Sequence, residues 1–419
     1  MFSTTLEALL AVRSLIHSRA IAAGALCPIT VAILATTIHA ADAIEAAEPK
    51  ASSTAAGNYL LAALELNRPV PEYVANATTD DPDAGFAKRL SREQASYLDR
   101  SEVASALDRF DEATSFRECV WPRFIGTNWS SSGLNDHLHG LARAALLRAR
   151  LQYESGRWID GNQSVERVRI MARHMVLQAR PYEHQCFMIE NMANGTAAAY
   201  VLRLPREAIA DMLARHRRIG PFSPKRSMLL AEANRMSGLA HDLENGRVSL
   251  EKVLEFIDPY LASAEVERQR IRGMSCHDAA DELRCLASFL REQSELMEIE
   301  LQDAAQQVAE LYQRHAAACG SLVKSDDPLH DYRENAQSVC RSIMMGEVLE
   351  RLHRGVHEFS GITDPYGPMP FEVREHEYGF TLVSELRHPG QVDWRFGLAG
   401  PIEGVQVQDG EPSDAAASP

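Results

Sequence analysis

The sequence lacks the short motifs that assign a reaction to a protein. Its 419 residues contain no phosphate-binding loop, no dinucleotide fingerprint, no nucleophile elbow and no paired-cysteine metal motif. Each of these motifs places a particular chemical group at a fixed spacing, so their absence removes the reaction classes that depend on them. The sequence therefore specifies no reaction, and we expect no cofactor.

The sequence also has fewer basic than acidic residues. The chain has 43 Lys and Arg against 58 Asp and Glu, which gives a net charge of −15 at pH 7. A protein that binds nucleic acid needs a basic stripe to neutralise phosphates, and this sequence has none. With 45% apolar and 24% charged residues, the composition is otherwise that of an ordinary folded protein. We expect no nucleic-acid partner, and a protein partner instead.

Long apolar runs are also scarce, since only residues 20–38 are apolar over a length that suggests a membrane segment. Arg13 and Arg19 precede this run and small residues up to Ala43 follow it, in the order of a secretory signal peptide. We predict a signal peptide over residues 1–43 and export to the periplasm or cell envelope. The alternative is an uncleaved membrane anchor, because 19 helical residues nearly span a hydrocarbon core of about 30 Å.

Cysteines are few, but six remain after the predicted signal peptide, an even number in an exported chain. Disulfides are therefore predicted, and bridges should join different helices. Cys276 and Cys285 cannot pair within one helix, because nine helical steps separate them by about 13 Å and a disulfide tolerates about 7 Å. The alternative is that the cysteines are unpaired core residues. The disulfide candidates are Cys119, Cys186, Cys276, Cys285, Cys319 and Cys340.

Amphipathic helical patterns dominate the middle of the chain. Residues 134–153 place apolar side chains on two opposite helix faces, and residues 165–179 place them on one face. The glycine-containing stretch 154–161 separates these patterns, so we predict a helical hairpin. It resembles a tetratricopeptide (TPR) hairpin, with Gly156 at the turn and Gly161 where a small residue packs. A helix that is apolar on two faces needs a neighbour on each, as in a stacked array.

The whole chain divides by composition into five parts. A signal peptide or anchor (1–43) and a flexible lead (44–57) precede a helical array (58–360), and a β-hairpin segment (361–390) and a mostly disordered acidic tail (391–419) follow it. We predict a mainly α fold. Its form is an array of antiparallel helical hairpins, similar to TPR or α-solenoid proteins, with a small C-terminal β-hairpin.

Within this organisation the sequence leaves some helix boundaries open. Residues 275–319 contain neither Gly nor Pro, so they form one long helix or two with a kink. Another helix is predicted to follow Pro328 and to run to about Phe359. The loop at 116–133 carries Trp121, Phe124 and Trp129. We expect this loop to pack over the helical hairpin.

One stripe of side chains could bind a metal ion. Glu350, His353 and His357 follow each other at helical spacing, and carboxylate and imidazole groups are zinc ligands. However, no glutamate occupies the position of the base in an H-E-x-x-H site, and arginines flank the stripe. The favoured interpretation is a solvated helix face, with these three residues as weak metal candidates.

A second group lies at the start of the helical hairpin. Asp136, His137 and His139 could pair a carboxylate with imidazole for proton transfer. The simpler explanation is that Asp136 lies in a first helical turn, where a negative charge favours the helix dipole. We expect no catalytic role for these residues.

Four short segments, taken in order, resemble a known family. Cys-Val-Trp at 119–121 and Glu-Ser-Gly-Arg-Trp at 154–158 are followed by Asp-Pro-Tyr-Gly-Pro-Met-Pro-Phe at 364–371 and Gly-Phe-Thr-Leu-Val-Ser at 379–384. This order resembles a family of exported, mostly helical bacterial proteins with no assigned activity. The resemblance implies export and a helical fold, but it gives no residue a role. The family usually has a longer spacer before the Asp-Pro segment, so the β-hairpin is expected to dock differently here.

Three functions are compatible with these observations. The favoured one is an exported, non-enzymatic helical-repeat protein that acts in protein interaction or structure in the cell envelope. A periplasmic hydrolase or metal-dependent enzyme is the second, and it requires a concave pocket that gathers the candidate residues. The third is a secretion-apparatus component, because the Asp-Pro-aromatic-Gly segment is similar to the C-terminal region of major pseudopilins.

Overall fold

The computed structural model describes the following parts of the chain: 54–66, 70–78, 90–119, 133–176, 183–257, 264–297, 299, 301–319, 329–386 and 393–397. The predicted signal peptide (1–43) lies outside these residues. So do the end of the predicted tail (398–419) and the loop residues Trp121, Phe124 and Trp129.

Helices make up most of the described chain, which confirms the mainly α fold class. They are α1 (Ala55–Glu65), α2 (Glu72–Ala77), α3 (Arg92–Leu98), α4 (Ser101–Ser115), α5 (Gly133–Glu154), α6 (Trp158–Val176), α7 (Glu183–Tyr200), α8 (Arg206–Ile219), α9 (Pro224–Glu244), α10 (Leu250–Ile257), α11 (Ala264–Arg272), α12 (Cys276–Leu296), α13 (Leu301–Cys319) and α14 (His330–His353). A 3-10 turn, Val201–Arg203, extends α7.

A small antiparallel sheet follows the helices. Its strands are β1 (Glu372–His376), β2 (Gly379–Val383) and β3 (Asp393–Gly397), in the order β1-β2-β3. The first two strands confirm the predicted β-hairpin. The third was not expected, because it falls in residues 391–419, which the sequence pattern assigned to a disordered tail. Burial alternates along β3, with Trp394 and Phe396 inside, so packing against α7 accounts for a strand in this otherwise polar stretch.

The predicted helical hairpin forms the centre of the fold. Helix α5 packs against α6 and α7 and is also covered by α1, α2, α3 and α4. Side chains on both of its apolar faces are fully buried, including Leu138, Leu141 and Leu147. Burying a leucine side chain contributes roughly 1.5–3 kcal/mol, so a helix surrounded in this way is a large part of the core. The expectation of neighbours on two faces is confirmed.

The remaining elements pack outward from this centre. Helix α8 lies against α6 and α14, α9 pairs with α12, and α13 packs on α12. Strand β3 rests on α7, which joins the sheet to the helical core. The buried apolar side chains form one continuous core that extends from Ala55 to Phe396.

Local capping chemistry fixes several helix ends. Ser91 and Gln94 form a capping box at the start of α3. Helix α5 ends in a Schellman motif, in which the Gly156 amide donates to the Tyr153 carbonyl and the Arg157 amide to the Gln152 carbonyl. Gly156 has a φ of 74°, which costs a glycine little. The short turn that follows brings α6 back along α5.

The long stretch without Gly or Pro, 275–319, is two helices and not one. The break between α12 and α13 leaves two carbonyl groups outside the helical ladder, and side chains of α14 bind both of them. Tyr332 Oη donates to the Ile299 carbonyl at 2.6 Å, and Asn335 Nδ2 donates to the Met297 carbonyl at 3.4 Å. Tertiary hydrogen bonds therefore stabilise a break that no local residue signals.

Candidate functional site

A surface depression of about 220 Å³ lies where the α5–α6 turn meets the start of α8. It is a candidate binding site, because apolar and charged side chains converge on it from two segments far apart in the sequence. Its lining comprises Gly156, Arg157, Trp158, Ile159, Asp160, Pro205, Glu207 and Ala208.

The depression has an apolar floor. The Trp158 ring lies 6.2 Å from the ring of Tyr153 and is partly buried, whereas Ile159 remains 38% exposed at the rim. Pro205 lies at the N-cap of α8. An isoleucine left in water beside a proline offers apolar surface that a partner can cover.

Charges surround this floor. Asp160 lies in the first turn of α6 and Glu207 in the first turn of α8. A carboxylate in this position interacts favourably with the positive end of the helix dipole. Arg157 pairs with Asp160 at 3.7 Å, and both side chains are about half exposed. The rim therefore carries two carboxylates and one guanidinium, which disfavours an anionic ligand.

Beneath the depression, side-chain hydrogen bonds join three helices. Tyr153 Oη of α5 donates to Asn162 Oδ1 of α6 at 3.0 Å. The amide of Asn162 in turn donates to the Ala208 carbonyl of α8 at 2.8 Å and to Asp211 Oδ2 at 2.9 Å. All four partners of this network are satisfied within the protein, so the floor is held rigidly.

Gly161 is required for this close packing. A Cβ atom built at Gly161 would lie 2.4 Å from Cε1 of Tyr153, whose ring stacks on that of Tyr200 with centroids 4.8 Å apart. The predicted small residue after the turn therefore has a clear steric reason.

A second polar cluster is buried between α6, α7 and α8. Glu190 accepts from Arg169 Nε at 2.9 Å and from Arg173 Nη1 at 2.8 Å. Burial alone would raise the pKa of the Glu190 carboxyl, but the two guanidinium groups hold it below its usual range. Arg173 also donates to the Gly220 carbonyl at 2.9 Å. Both oxygens of this carboxylate are occupied, so the cluster joins helices and presents no group to a substrate.

His216 completes this cluster from α8. Its Nδ1 lies 3.2 Å from Arg169 Nη1, which can only donate, so Nδ1 accepts and the proton is on Nε2. The imidazole also hydrogen-bonds to the backbone of Ser342 in α14. Burial, followed by the nearby Arg169, lowers the pKa of His216 to about 3. His216 is therefore neutral and links α8 to α14.

The predicted metal stripe does not exist as a single helix face. Helix α14 ends at His353, and a Schellman motif at Gly355, with φ of 75°, turns the chain before His357. Glu350 forms ion pairs with Arg217 and Arg354 instead. The expectation that Glu350, His353 and His357 share one helix was wrong, because the Gly355 cap ends the helix.

The structure places the other histidine candidates at the start of α5. Asp136 lies in the first turn and is exposed, as the helix-dipole explanation requires. His137 and His139 are partly buried on either side of the fully buried Leu138. These residues do not line the depression at the α5–α6 turn, which lies at the other end of the helix.

Four of the six disulfide candidates are thiols that form no disulfide: Cys119, Cys186, Cys276 and Cys340. Burial raises the pKa of Cys119, Cys186 and Cys340 to about 12, as expected for thiols that act as core residues. Cys285 is bonded in a disulfide. Cys276 and Cys285 share helix α12 and are not bonded to each other, in agreement with the distance argument.

A group that the sequence pattern did not indicate has the spacing of metal ligands. Among the described residues, Glu244, His277 and Asp281 bring their ligand atoms within 4.8 Å of one another. All three side chains are exposed, and Arg284 forms ion pairs with both carboxylates. A guanidinium group already neutralises the two carboxylates, so this group is a surface ion-pair network.

Sequence reasoning missed both the depression and the Glu190 cluster. Arg169 and Arg173 are four residues apart on α6, and Arg169 follows Val165 at the same helical spacing. Charged residues on an apolar face were the available signal for a buried ion pair. The depression had a weaker signal, an apolar Trp-Ile pair directly after a glycine turn.

Comparison with known proteins gives no further guide, because no family model, curated protein or solved structure matches this chain. None of the helices in the described part of the chain combines the length and apolar character needed to span a membrane.

Proposed function

We propose that this chain is an exported, non-enzymatic helical protein of the cell envelope that binds a protein partner at the α5–α6 turn. The observation that carries this proposal is the depression itself, with exposed Ile159 at the rim of an apolar floor. Recognition of proteins commonly places an apolar side chain in such a depression and surrounds it with polar groups.

The charges favour a basic partner. Asp160 and Glu207 flank the depression, and the chain has a net charge of −15 at pH 7. A negative surface attracts a positive one and accelerates their encounter, and salt weakens this effect. The partner segment therefore combines an apolar side chain with nearby Lys or Arg.

Repeated helical packing supports the scaffold role. The hairpin of α5 and α6 has a glycine turn and a small residue under a tyrosine, and α7 and α8 continue the packing against α6. A TPR-like array would have helices in this order, and in such an array loops at one end of successive hairpins form a binding surface. Membership of the exported helical family that the sequence resembles is part of the same proposal.

Binding of a partner at the depression is tested with the purified full-length chain. The immobilised protein is incubated with envelope extract from the cells that produce it, at low and at high salt. Replacement of an apolar contact at the centre of an interface costs about 2 kcal/mol, so Ile159→Ser should weaken retention of the partner about 30-fold. Leu230→Ser is the matched control, because Leu230 is also 38% exposed but lies on α9.

The proposal requires one basic protein that is retained at low salt, released at high salt and lost with Ile159→Ser alone. If both variants or neither variant lose the retained protein, the depression is not the binding site.

Export is tested separately. N-terminal sequencing of the mature protein should find a start close to residue 44, after the predicted signal peptide. Full-length protein in the membrane fraction would instead support the anchor at residues 20–38, and full-length protein in the cytoplasm would overturn export.

A further inference from the structure

The buried cluster of Arg169, Arg173, Glu190 and His216 carries more positive than negative charge. Two guanidinium groups share the single carboxylate of Glu190, at 2.9 and 2.8 Å. Guanidinium groups stay protonated at neutral pH, whereas His216 is neutral. Within the described part of the chain, no second carboxylate forms an ion pair with either arginine. Two positive charges against one negative charge leave one positive charge inside the protein.

Arg173 has further contacts that stabilise its own charge. It donates to the carbonyls of Arg169 and Gly220, at 3.1 and 2.9 Å, and its Cζ atom lies 4.9 Å from the centre of the Phe222 ring. A cation over an aromatic face is attracted by the ring electrons. Burial and the like charge of Arg169 nevertheless lower the pKa of Arg173, although the Glu190 carboxylate opposes them. One carboxylate therefore does not compensate both cations.

Arg169 has an unused hydrogen-bond donor. Its Nε donates to Glu190 and its Nη1 to Nδ1 of His216, but Nη2 has no hydrogen-bond partner among the described residues. Only 5% of Arg169 is exposed, so bulk water does not solvate this nitrogen. A buried donor without an acceptor is unfavourable, and more so when it belongs to a charged group. Nη2 of Arg169 therefore lacks both an acceptor and a counter-charge.

A hydroxyl group next to His216 is also unused. Ser342 lies in α14 and is fully buried, and its Oγ has no hydrogen-bond partner within the described ranges. The backbone of Ser342 hydrogen-bonds to the imidazole of His216, which accepts from Arg169. Gly346, one turn further along α14, permits this approach, because a Cβ atom there would lie 3.1 Å from His216 Nε2. Two unused donors therefore belong to residues that contact the same imidazole.

We propose that the Arg169 guanidinium binds one small inorganic anion, of the size and charge of chloride, between α6, α8 and α14, and that the Ser342 hydroxyl donates to the same ion. A buried water molecule would accept a hydrogen bond from Nη2 but would leave the positive charge uncompensated. An anion accepts the hydrogen bonds and also supplies the missing negative charge. The ion is structural and not a substrate, and the site is independent of the depression at the α5–α6 turn.

The anion should stabilise the folded chain, because its ligands come together only in the folded state. A ligand that binds only the folded state raises the ratio of folded to unfolded protein in proportion to its concentration, once that concentration exceeds the dissociation constant. Urea denaturation of the purified full-length chain measures this ratio. Sodium chloride replaces sodium gluconate at fixed ionic strength, so that the screening of surface charges does not change.

Three variants accompany the wild type. Arg169→Gln removes the excess positive charge and leaves Glu190 paired with Arg173. Ser342→Ala removes the proposed hydroxyl ligand without changing a charge. Ser294→Ala is its matched control.

Ser294 is suitable as a control because it is also a buried helical serine. Its hydroxyl already donates to the Arg291 carbonyl at 2.6 Å, and it lies in α12, outside the cluster. Its replacement should lower stability by the same amount in both salts.

The ratio of folded to unfolded protein should rise about tenfold for a tenfold increase in chloride in the wild type and in Ser294→Ala. It should stay constant in Arg169→Gln and rise less in Ser342→Ala. The same ratio in chloride and in gluconate for the wild type would overturn the proposal, and so would an equal chloride response in the wild type and Arg169→Gln. If Arg169→Gln does not fold, the proposal still requires a weaker chloride response in Ser342→Ala than in Ser294→Ala.

Discussion

At the scale of single residues, Gly161 shows how one missing atom permits the central packing. Its Cα lies under the Tyr153 ring, and that ring cannot move aside because Tyr200 stacks on it and Asn162 accepts from its hydroxyl. A methyl group at this position would have to displace the Tyr153 ring and the side chains packed on it. The glycine therefore contributes through space and not through backbone freedom, since it lies inside helix α6.

Gly161→Ala is expected to lower the free energy of unfolding by about 1–3 kcal/mol, the usual cost of overpacking. Urea denaturation measures the change. Gly195→Ala is the control, because Gly195 is also helical but a Cβ atom there meets no atom within 4 Å. It should leave stability unchanged or raise it by up to about 1 kcal/mol. Equal losses in the two variants would contradict the steric account.

Glu190 carries the negative charge that pairs with the buried Arg169 and Arg173. Glu190→Gln leaves Arg169 and Arg173 without a counter-charge, which costs about 3–5 kcal/mol when one partner of a buried pair is removed. Glu282→Gln is the matched surface change, because Glu282 pairs with the partly exposed Arg270. Urea denaturation at pH 7 should show a loss below about 1 kcal/mol for the second variant. Losses of similar size would show that the Glu190 cluster is not buried in solution.

At the scale of secondary-structure elements, Asp364 joins the turn before the sheet to the end of β2. One carboxylate oxygen accepts from Ser384 Oγ at 2.6 Å and from the Glu385 amide at 2.8 Å. The other accepts from the Tyr366 amide at 3.0 Å. One buried carboxylate accepts from three donors, and these hydrogen bonds hold the Asp-Pro turn against the end of the β-hairpin.

Asp364→Asn replaces one acceptor oxygen by an amide group that cannot accept, so at least one of these donors loses its partner at a cost of about 1–3 kcal/mol. We expect faster amide exchange in β2, while exchange in α5 is unchanged. Ser384→Ala removes a single hydrogen bond and should produce a smaller change of the same kind. Unchanged exchange in β2 of the Asp364 variant would contradict this role.

Elements with local signals could be predicted from the sequence. The α5–α6 hairpin follows from apolar spacing and from Gly156, and the capping box follows from Ser91 and Gln94. The break between α12 and α13 could not be predicted, because its stabilising partners, Tyr332 and Asn335, lie in a helix more than thirty residues later.

Strand β3 and the depression were missed for a related reason. Trp394 and Phe396 alternate as a strand requires, but five residues in an acidic tail are too few to decide without the neighbour that they cover. The depression forms only when α8 approaches the α5–α6 turn, and sequence spacing contains no information on that approach. The six cysteines could be proposed as candidates, but pairing depends on tertiary distances.

At the scale of the whole molecule, two buried histidines should make the fold sensitive to acid. Burial lowers the pKa of His174 to about 4 and that of His216 to about 3, below the unfolded value of about 6.5. A group with a lowered pKa in the folded state takes up its proton mainly on unfolding. The stabilisation is therefore fully present above pH 6.5 and is lost as the pH falls from 6.5 towards 4 and 3.

The free energy of unfolding should be constant near pH 7 to 8 and fall by about 1.4 kcal/mol per pH unit for each histidine between about pH 6 and 4.5. Urea denaturation across this range measures the slope. His174→Gln is expected to remove about half of the slope, although it loses the hydrogen bond from Tyr59. His277→Gln, an exposed control, should leave the slope unchanged. A flat profile in the wild type would show that the histidines titrate normally.

The proposed function also concerns the whole molecule. We propose that the α5–α6 turn of an exported helical protein binds a basic partner. Site-specific photo-crosslinking in the producing cells tests it most directly, with a photoreactive residue in place of Ile159 and, separately, of Leu230, which has the same exposure. The proposal predicts one discrete crosslinked product with a basic envelope protein from position 159, reduced by high salt, and none from position 230. Identical crosslinks from both positions, or none from position 159, would contradict it.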